Sequence, residues 1–294
     1  VLVIANTVKQ AVELYGRIKE KTEKVRVFHS MYIQKHRAII EKELLAFDEN
    51  EQATGIWVTT QLVEASIDID FDVLFTEAAT LDSLCQRFGR CYRRRQYKKT
   101  VPNIFIYTVE PSGTGYIYDK EILERSITLL KSFSGEILPE SEKVKLVSEL
   151  YKRDNLKGTE FLKKFDGALE QLNTFDDYTL SNKDAQRLLR DIQAELVIPC
   201  DVYDNHSCLF EQLEQADKEK RTELRRQITK LTVSLRKTAA RGRTRKLPHK
   251  GKKQNGEEYD LLPWIQILDL KYEFNEVSKT GAGVLLDQEI DNQI

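Results

Sequence analysis

The sequence predicts an α/β protein: a parallel sheet with helices on both faces, followed by a mostly helical, α+β C-terminal domain. In roughly the first 110 residues, short apolar segments alternate with amphipathic helical patterns, which is typical of βαβ units. Beyond the glycine-containing segment 111–115, strand-like segments become rare. Hydrophobic residues make up 40% of the 294 residues, enough to build a buried core.

The N-terminal part is predicted to contain five strands. Residues 1–5 form an apolar first strand, after which Asn6 and Thr7 provide an N-cap for a helix. The remaining strands are predicted at residues 25–28, 55–59, 72–76 and 103–107, with a helix at residues 34–47. Because the chain opens inside a strand of buried character, we expect it to be a fragment or one half of a larger fold.

The later part is divided into linker helices at residues 111–150 and an accessory domain at residues 151–294. Helices are predicted at residues 118–133 and 142–151, a further one at 180–194, and a long charged one at 211–238. Strands are predicted at residues 195–199 and within 261–270. Residues 241–253 have almost no apolar anchor and are predicted to form a loop.

A basic segment stands out because residues 218–253 carry fifteen Lys and Arg against two Glu. It is either a solvated surface or a phosphate-contacting segment, and Arg241, Arg243 and Arg245 would then bind nucleic acid. The net charge of −1 is compatible with such a segregated basic surface.

Composition excludes several classes of protein. No apolar run is long enough to cross a bilayer and no secretory leader is visible, so no membrane partner is expected. Four scattered cysteines suit a reducing cytoplasm. The spacing of Cys200, His206 and Cys208 is not typical of zinc, and the alternating Asp68 and Asp70 suit a strand edge, so we expect no metal site.

The chemically informative residues lie between 55 and 95. Gln86, Arg90 and Arg93 have the spacing i, i+4, i+7, which places them on one face of a helix that Thr80 or Asp82 could cap. Two guanidiniums and an amide on one face would bind a polyphosphate.

A second anion-binding feature is predicted where a strand ends and a short helix begins. Thr60 and Gln61 occupy this turn, and the unpaired backbone N–H groups of a helix start attract phosphate. A sugar–phosphate backbone could lie across this edge of the sheet.

These residues resemble the helicase motifs of superfamily 2. Residues 86–93 match motif VI, Q-R-x-G-R-x-x-R, at every fixed position. Residues 60–72 look like motif V, residues 1–8 like motif IV, and residues 28–30 with Arg37 like the element after it. The pattern of residues 64–72 is closest to the CRISPR-associated helicase–nuclease of type I interference systems, and the resemblance covers residues 1 to about 100.

The resemblance implies that residues 1–110 form the second of two RecA-like domains, with ATP in the cleft between the two. Arg90 and Arg93 would reach the γ-phosphate as arginine fingers, and Gln86 would place the water or the phosphate. The remaining cofactor-binding residues would be Asp68, near the ribose or the domain contact, together with Arg87 and Gly89.

It further implies a single-strand track, meaning the surface along which a DNA strand moves 3′ to 5′ during ATP hydrolysis. An RNA-guided surveillance complex would recruit the protein to the displaced strand. The track residues in the first 110 positions would be Asn6, Thr7, His29, Ser30, Thr60 and Gln61.

The sequence also departs from a complete enzyme. It contains no G-x-x-x-x-G-K-[ST] loop, no D-E-x-H or D-E-x-D box and no His-Asp nuclease pair. The first RecA-like domain, which would hold Mg²⁺, and the nuclease domain should therefore lie upstream or in another chain, and this chain alone should be inactive. Two alternatives remain: an RNA helicase or other superfamily 2 translocase fragment, and a non-catalytic nucleic-acid-binding adaptor.

Overall fold

A computed structural model describes residues 1–65, 67–98, 101–173, 194–252 and 255–289 of the chain. The described residues form two compact units. The first contains residues 1–26 and those from 45 to 173, and the second contains residues 27–44 and those from 194 to 289. The helix predicted at 180–194 lies almost entirely outside the described residues.

The N-terminal part of the chain contributes a five-stranded sheet with the order β2-β3-β1-β4-β5. The register pairs β1 in parallel with β3 and β4, and β4 in parallel with β5. The strands are β1 (Leu2–Ile4), β2 (Val25–Phe28), β3 (Ile56–Thr59), β4 (Leu74–Glu77) and β5 (Ile104–Tyr107). The five predicted strands and their parallel arrangement are therefore confirmed.

Seven α-helices and a short 3₁₀ helix (Lys131–Phe133) follow or connect these strands among the residues described up to 173. The α-helices are α1 (Val8–Lys19), α2 (Gln34–Glu49), α3 (Leu62–Ala65), α4 (Leu81–Phe88), α5 (Lys120–Leu130), α6 (Glu140–Leu150) and α7 (Glu160–Asn173). Thr7 caps α1 as predicted, because its hydroxyl accepts a hydrogen bond of 3.2 Å from the backbone N–H of Gln10. Leu81, Ile122, Leu150 and Leu156 form an apolar cluster that anchors α4 against the helices after it.

The second unit combines strands and helices around its own core. Its helices are α8 (Cys200–Asn205), α9 (Ser207–Gln215), α10 (Lys218–Thr229) and α11 (Lys237–Ala240). Its strands are β6 (Ala194–Pro199), β7 (Val233–Arg236), β8 (Thr244–Lys246), β9 (Lys250–Lys252), β10 (Glu258–Asp260), β11 (Ile265–Leu268), β12 (Leu270–Asn275) and β13 (Thr280–Glu289). The unit contains a sheet of order β7-β6-β11-β8 and two further two-stranded sheets, β9-β10 and β12-β13. The predicted α+β class is confirmed, but the described part of this unit has more strands than helices and is not mostly helical.

Two predictions in this unit are wrong. The single helix expected at 211–238 is divided into α9, α10 and β7, because Asp217 starts a new helix by accepting from Lys220 N–H. Val233 and Leu235 are buried while their neighbours are exposed, a period of two that belongs to a strand. The loop expected at 241–253 contains β8 and β9, whose backbone groups pair with β11 and β10.

Among the described residues, no helix is both long and apolar enough to span a bilayer.

Candidate functional site

Arg87 is the structural centre of the first unit's site. It is fully buried, and all five of its N–H donors are used, which is the full capacity of a guanidinium. Its acceptors, at 2.7–3.0 Å, are Glu64 Oε1, Thr76 Oγ1, the Glu77 carbonyl, Asn6 Oδ1 and the Tyr118 hydroxyl. These acceptors come from separate segments of the chain, so one side chain ties α3, α4, β4 and the segments before α1 and before α5 together.

This geometry corrects the expectation that Arg87 contacts the cofactor. No donor of its guanidinium is left for a nucleotide in this arrangement, and none of its surface is exposed. Glu64 compensates the buried charge through an ion pair of 2.8 Å. Burial raises the pKa of the Glu64 carboxyl, and Arg87 opposes that rise.

Glu77 forms a second hub beside Arg87. Its carboxylate accepts hydrogen bonds from the backbone N–H of Asn6 at 2.6 Å and from the N–H and hydroxyl of Ser112 at 2.7 Å. The side-chain amide of Asn6 donates to the carbonyl of Ala78 at 2.8 Å. Asn6 is buried by these contacts, so it supports the end of β1 and does not meet the expectation of an exposed nucleic-acid contact.

Helix α4 ends earlier than the sequence suggested. It stops at Phe88, and Gly89 is its C-cap with φ −64°. Arg90 and Arg93 therefore lie beyond the helix, and the prediction that they share one helix face with Gln86 is wrong. The chain then turns back toward the segment before β4, where Phe71 N–H donates to the carbonyl of Arg90 at 2.9 Å.

Arg90 connects motif VI to motif V. Its Nη1 donates to the carbonyl of Ile67 at 2.7 Å and its Nη2 to the carbonyl of Glu64 at 2.6 Å. The side chain is largely buried, and burial lowers the pKa of its guanidinium from the usual value. Its Nε is buried without a hydrogen-bond partner. Arg90 thus has donor capacity that the described residues do not use.

The three arginines after the turn are paired with aspartates. Arg93 Nε lies 2.7 Å from Asp68 Oδ1, and Arg94 bridges Asp68 at 3.1 Å and Asp48 at 2.9 Å. Hydrogen bonding from Arg94, together with the charges of Arg94, Arg93 and Arg90, lowers the pKa of the Asp68 carboxyl.

Arg95 continues this pattern with the next two carboxylates. It lies 3.0 Å from Asp70 and 2.8 Å from Asp72. The alternating aspartates therefore serve as partners of arginines. Within the described residues there is no group of three or more His, Cys, Asp or Glu side chains placed to hold a metal ion.

Exposure separates the predicted catalytic residues. Gln86 and Arg93 are exposed, whereas Arg90 is 7% exposed. Arg93 forms an ion pair with Asp68, and both side chains reach solvent at 43% and 63% exposure. An exposed pair of this kind contributes little to stability, so a phosphate can compete for Arg93.

The remaining track residues of the first unit differ in accessibility. Thr7 is half-buried and its hydroxyl contacts Ser112 Oγ at 3.2 Å. Thr60 is buried, whereas Gln61 is half-buried and donates to the carbonyl of Asn6 at 2.7 Å. Thr7 and Gln61 are therefore the members of this group that retain accessible surface.

His29 and Ser30 belong to the second unit. His29 is fully buried, stacks on Tyr32 with ring centroids 4.5 Å apart, and accepts from Met31 N–H at Nδ1. Burial lowers the pKa of His29 to about 3, so the ring is neutral near pH 7. It does not offer the exposed contact that was expected, whereas Ser30 is half-buried and lines a polar cleft.

The predicted basic residues lie on and beside β8. Arg241 and Arg245 are exposed and Arg243 is half-buried. Arg245 forms an ion pair of 3.1 Å with Asp269. Three polar residues of the site were not found from the sequence: Glu77, Ser112 and Tyr118. Their signals were weak, because each lies far along the chain from the residues that it contacts.

The chain is similar in sequence to known proteins. Residues 1–96 match the family model described as CRISPR-associated nuclease/helicase Cas3, C-terminal. The chain is 31% identical over 196 residues to the CRISPR-associated nuclease/helicase Cas3 of Methanothermobacter thermautotrophicus, covering 65% of this chain and 23% of that protein. It is 35% identical over 124 residues to the CRISPR-associated endonuclease/helicase Cas3 of Escherichia coli K12, covering 40% and 14%.

Solved structures give the same result for the fold. The crystal structure of T. fusca Cas3 with AMPPNP superposes with a TM-score of 0.68 at 18% identity, covering 98% of this chain and 37% of that one. A structure described as a CRISPR RNA-guided surveillance complex, pre-nicking, superposes with a TM-score of 0.65 at 18% identity over 98% of this chain and 39% of that one. The chain therefore spans less than half the length of the relatives that it matches.

Proposed function

We propose that this chain, a C-terminal part of a Cas3 helicase–nuclease, supplies one wall of an ATP site and part of a single-strand DNA track. A first RecA-like domain, upstream or in another chain, supplies the opposite wall with the phosphate loop and the Mg²⁺ ligands. The nuclease domain is also outside this chain.

The observation that carries the proposal is the difference between the arginines of motif VI. Arg87 uses all of its donors on internal acceptors and holds α4 in place. Arg93 follows the end of α4 and remains exposed, and its ion-pair partner is an exposed aspartate. A rigid base beneath an accessible guanidinium is the arrangement that an arginine finger needs.

The residues of this chain have separate roles in ATP hydrolysis. Arg93 stabilises the charge that develops on the transferring phosphoryl group, and Arg90 adds its unused donor capacity from the buried side. Gln86, which is exposed, orients the attacking water. By the general magnitude for such groups, removing an arginine finger lowers the rate by a factor of about 10³–10⁵. A T. fusca relative has been crystallised with AMPPNP, which supports nucleotide binding by the complete protein.

We place the single-strand DNA track next to the accessible polar residues at one edge of the sheet. Thr7 and Gln61 keep accessible polar surface near the carboxyl ends of β1 and β3, where open α/β sheets bind ligands. One structural relative is an RNA-guided surveillance complex, which supports recruitment to a strand displaced by RNA-guided pairing. We propose 3′-to-5′ movement along that strand, driven by closure and opening of the ATP cleft.

The experiment is ATP hydrolysis by the complete helicase, meaning this chain together with its first RecA-like domain, in the presence of single-stranded DNA or RNA. Arg93→Ala should abolish hydrolysis while sparing DNA binding. The charge-matched control is Arg17→Ala, since Arg17 is exposed on α1 and pairs with Glu13 of the same helix.

Three results would contradict the proposal. Normal ATP turnover by Arg93→Ala would show that Arg93 is not an arginine finger. Stimulation by RNA and not by DNA would favour an RNA helicase. Appreciable Mg²⁺-dependent hydrolysis by this chain alone would contradict the requirement for a second domain.

A further inference from the structure

Asp70 lies beside the turn that follows motif VI. The next residue, Phe71, forms a backbone bridge to this turn: its N–H donates to the carbonyl of Arg90 at 2.9 Å, and its carbonyl accepts from Tyr92 N–H at 3.1 Å. These two hydrogen bonds bring the residues after the turn alongside Asp70. We call residues 92–95, which contain Tyr92 and three arginines, the arginine loop.

The Asp70 carboxylate accepts two consecutive backbone N–H groups of the arginine loop. Its Oδ1 accepts from Arg93 N–H at 2.8 Å, and its Oδ2 accepts from Arg94 N–H at 3.2 Å. The residue before them, Tyr92, has φ +48°, in the left-handed region that residues other than glycine rarely adopt. Successive N–H groups beside such a residue form a concave site for an anion. The Asp70 carboxylate is the anion here, and its hydrogen bonds help to maintain the strained backbone at Tyr92.

The Asp70 carboxylate is itself held in place. Its side chain is 5% exposed, and Oδ2 also accepts from Arg95 Nε at 3.0 Å. Asp70 N–H donates to Asp48 Oδ1 at 2.6 Å, and the Asp48 side chain is 3% exposed. Burial acts to raise the pKa of the Asp70 carboxyl, but the hydrogen bonds from Arg95 and from the two backbone N–H groups outweigh burial and lower it. A buried, ionised carboxylate therefore fixes the backbone of the arginine loop.

Two of the three arginine side chains in the loop are tethered to neighbouring groups. Arg94 and Arg95 each bridge two aspartates. The Arg95 guanidinium also lies 4.6 Å from the centre of the Tyr92 ring. These contacts keep both guanidiniums on the protein surface, so neither is well placed to extend toward a nucleotide.

Arg93 is held through its backbone and has weaker side-chain contacts. Its carboxylate partner, Asp68, is 63% exposed, and its Nη1 makes a long hydrogen bond of 3.4 Å to the carbonyl of Gly89. An exposed ion pair is easily exchanged for another anion. The Arg93 guanidinium can therefore leave Asp68 for a phosphate while its backbone N–H stays on Asp70.

The accuracy of this placement matters for catalysis. A group that stabilises developing charge must be fixed before the reaction, and a displacement of about 1 Å can lower a rate by about 10²-fold. Helix α4 ends at Phe88, so helical hydrogen bonding does not hold Arg93 in position. The contacts of Asp70 supply that constraint.

We propose that Asp70 is a positioning residue for ATP hydrolysis, which holds the backbone of the arginine loop so that the Arg93 guanidinium meets the transferring phosphoryl group. This inference rests on the proposed function. Asp70 touches neither the nucleotide nor the DNA and acts through Arg93. Its effect is therefore largest in the transition state, where the contact of the arginine with phosphate is strongest.

The test compares Asp70→Asn with Asp72→Asn in the complete helicase with single-stranded DNA. Both changes remove a carboxylate charge that faces Arg95, but Asp72 is 67% exposed and meets the loop through the Arg95 side chain. Asp70→Asn should lower the kcat of ATP hydrolysis by about 10–100-fold. Asp72→Asn should change kcat by less than about twofold.

Binding measurements separate positioning from folding. The two probes, each with Mg²⁺, are ADP with aluminium fluoride, which mimics the transferring phosphoryl group, and AMPPNP. Asp70→Asn should weaken binding of the aluminium fluoride complex by about tenfold and binding of AMPPNP by no more than about twofold. Partial unfolding would lower the number of binding sites without changing this ratio of affinities.

A double-variant cycle tests whether Asp70 acts through Arg93. In the Arg93→Lys background, Asp70→Asn should cause little further loss of affinity for the aluminium fluoride complex, because the group that Asp70 positions is already impaired. Asp48→Asn weakens the support behind Asp70 and should change the ratio of affinities in the same direction by a smaller factor. It provides a second test if Asp70→Asn does not fold.

Three results would overturn the inference. They are unchanged affinity of Asp70→Asn for the aluminium fluoride complex, equal losses in Asp70→Asn and Asp72→Asn, and full additivity of Asp70→Asn with Arg93→Lys. The proposed function fails on a different result, normal turnover by Arg93→Ala. If Arg93→Ala abolishes turnover while Asp70→Asn keeps the wild-type kcat, the arginine finger stands and the role of Asp70 is refuted.

Discussion

Arg87 and Tyr118 are joined by a hydrogen bond of 2.8 Å between guanidinium Nη2 and the phenol oxygen, across 31 residues of sequence. The bond links motif VI to the segment that precedes α5. Burial raises the pKa of the Tyr118 hydroxyl, and the charge of Arg87 opposes that rise. The contact shows that the residues after the sheet help to hold the arginine that supports the candidate ATP site.

Replacing Arg87 should destabilise the first unit. Lysine has three donors in place of five and cannot reach all the acceptors, so Arg87→Lys leaves Glu64 and other buried acceptors unpaired. We expect a loss of about 3–5 kcal/mol in the free energy of unfolding, measured by urea denaturation. The matched control Arg17→Lys, at an exposed pair, should change it by less than about 1 kcal/mol. Equal losses in the two variants would contradict the central role of Arg87.

The Tyr118 contact can be tested with a smaller change. Tyr118→Phe removes the hydroxyl but keeps the ring, and should cost about 1–3 kcal/mol because Arg87 Nη2 loses an acceptor. When Tyr118→Phe is combined with Arg87→Lys, the double variant should lose less free energy of unfolding than the sum of the two single losses. The reason is that both residues belong to one hydrogen-bond network. Full additivity in denaturation experiments would mean that the residues stabilise the unit independently.

The buried His29 should make the second unit sensitive to acid. Its folded pKa of about 3 lies below the ordinary value, so the unfolded state binds an extra proton as pH falls below about 6.5. The stability that the buried, neutral His29 ring allows is therefore fully present above about pH 6.5. Below that pH the free energy of unfolding falls by up to about 1.4 kcal/mol per pH unit. His29→Gln should show a shallower decline between about pH 6 and 4 in urea denaturation. Parallel profiles for the two proteins would refute this origin of the acid sensitivity.

Gly283 lies where β13 crosses the segment before α2. Its φ is +66°, and a Cβ there would stand 2.4 Å from the carbonyl oxygen of Met31, which also accepts from Val284 N–H. Gly283→Ala should therefore cost about 2–4 kcal/mol, from backbone strain and from displacement of that hydrogen bond. Gly256→Ala is the control, because φ is +82° there and nothing lies within 4 Å. If the melting temperature of Gly283→Ala fell no further than that of Gly256→Ala, the backbone around Gly283 would have adapted to the added methyl group.

The basic residues around β8 predict a salt-dependent contribution to DNA binding. Neutralising Arg241, Arg243, Arg245 and Lys246 together should weaken binding of single-stranded DNA and flatten its salt dependence by about 0.7 per lost phosphate contact. Anisotropy titrations at several salt concentrations measure both effects. Arg245 is paired with Asp269, so restoring it alone should recover less affinity than restoring Arg241. Unchanged affinity in the quadruple variant would assign this segment to a solvated surface.

Local patterning in the amino-acid sequence was sufficient to predict the parts of the protein that depend on near neighbours along the chain. Apolar runs predicted the five parallel strands, Thr7 predicted the start of α1, and the spacing of residues 86–93 identified motif VI. The buried side of α4 also followed from its apolar residues, such as Leu81 and Leu84.

Packing in three dimensions determines which polar residues of those motifs are buried and which stay accessible. Arg87 and Arg93 belong to one motif, yet one is enclosed by acceptors from distant segments and the other reaches solvent. Likewise, β7 and β8 form only because β6 and β11 pair with them. The physical reason is that a donor or a strand edge is satisfied by its neighbours in space, and sequence spacing does not specify those neighbours.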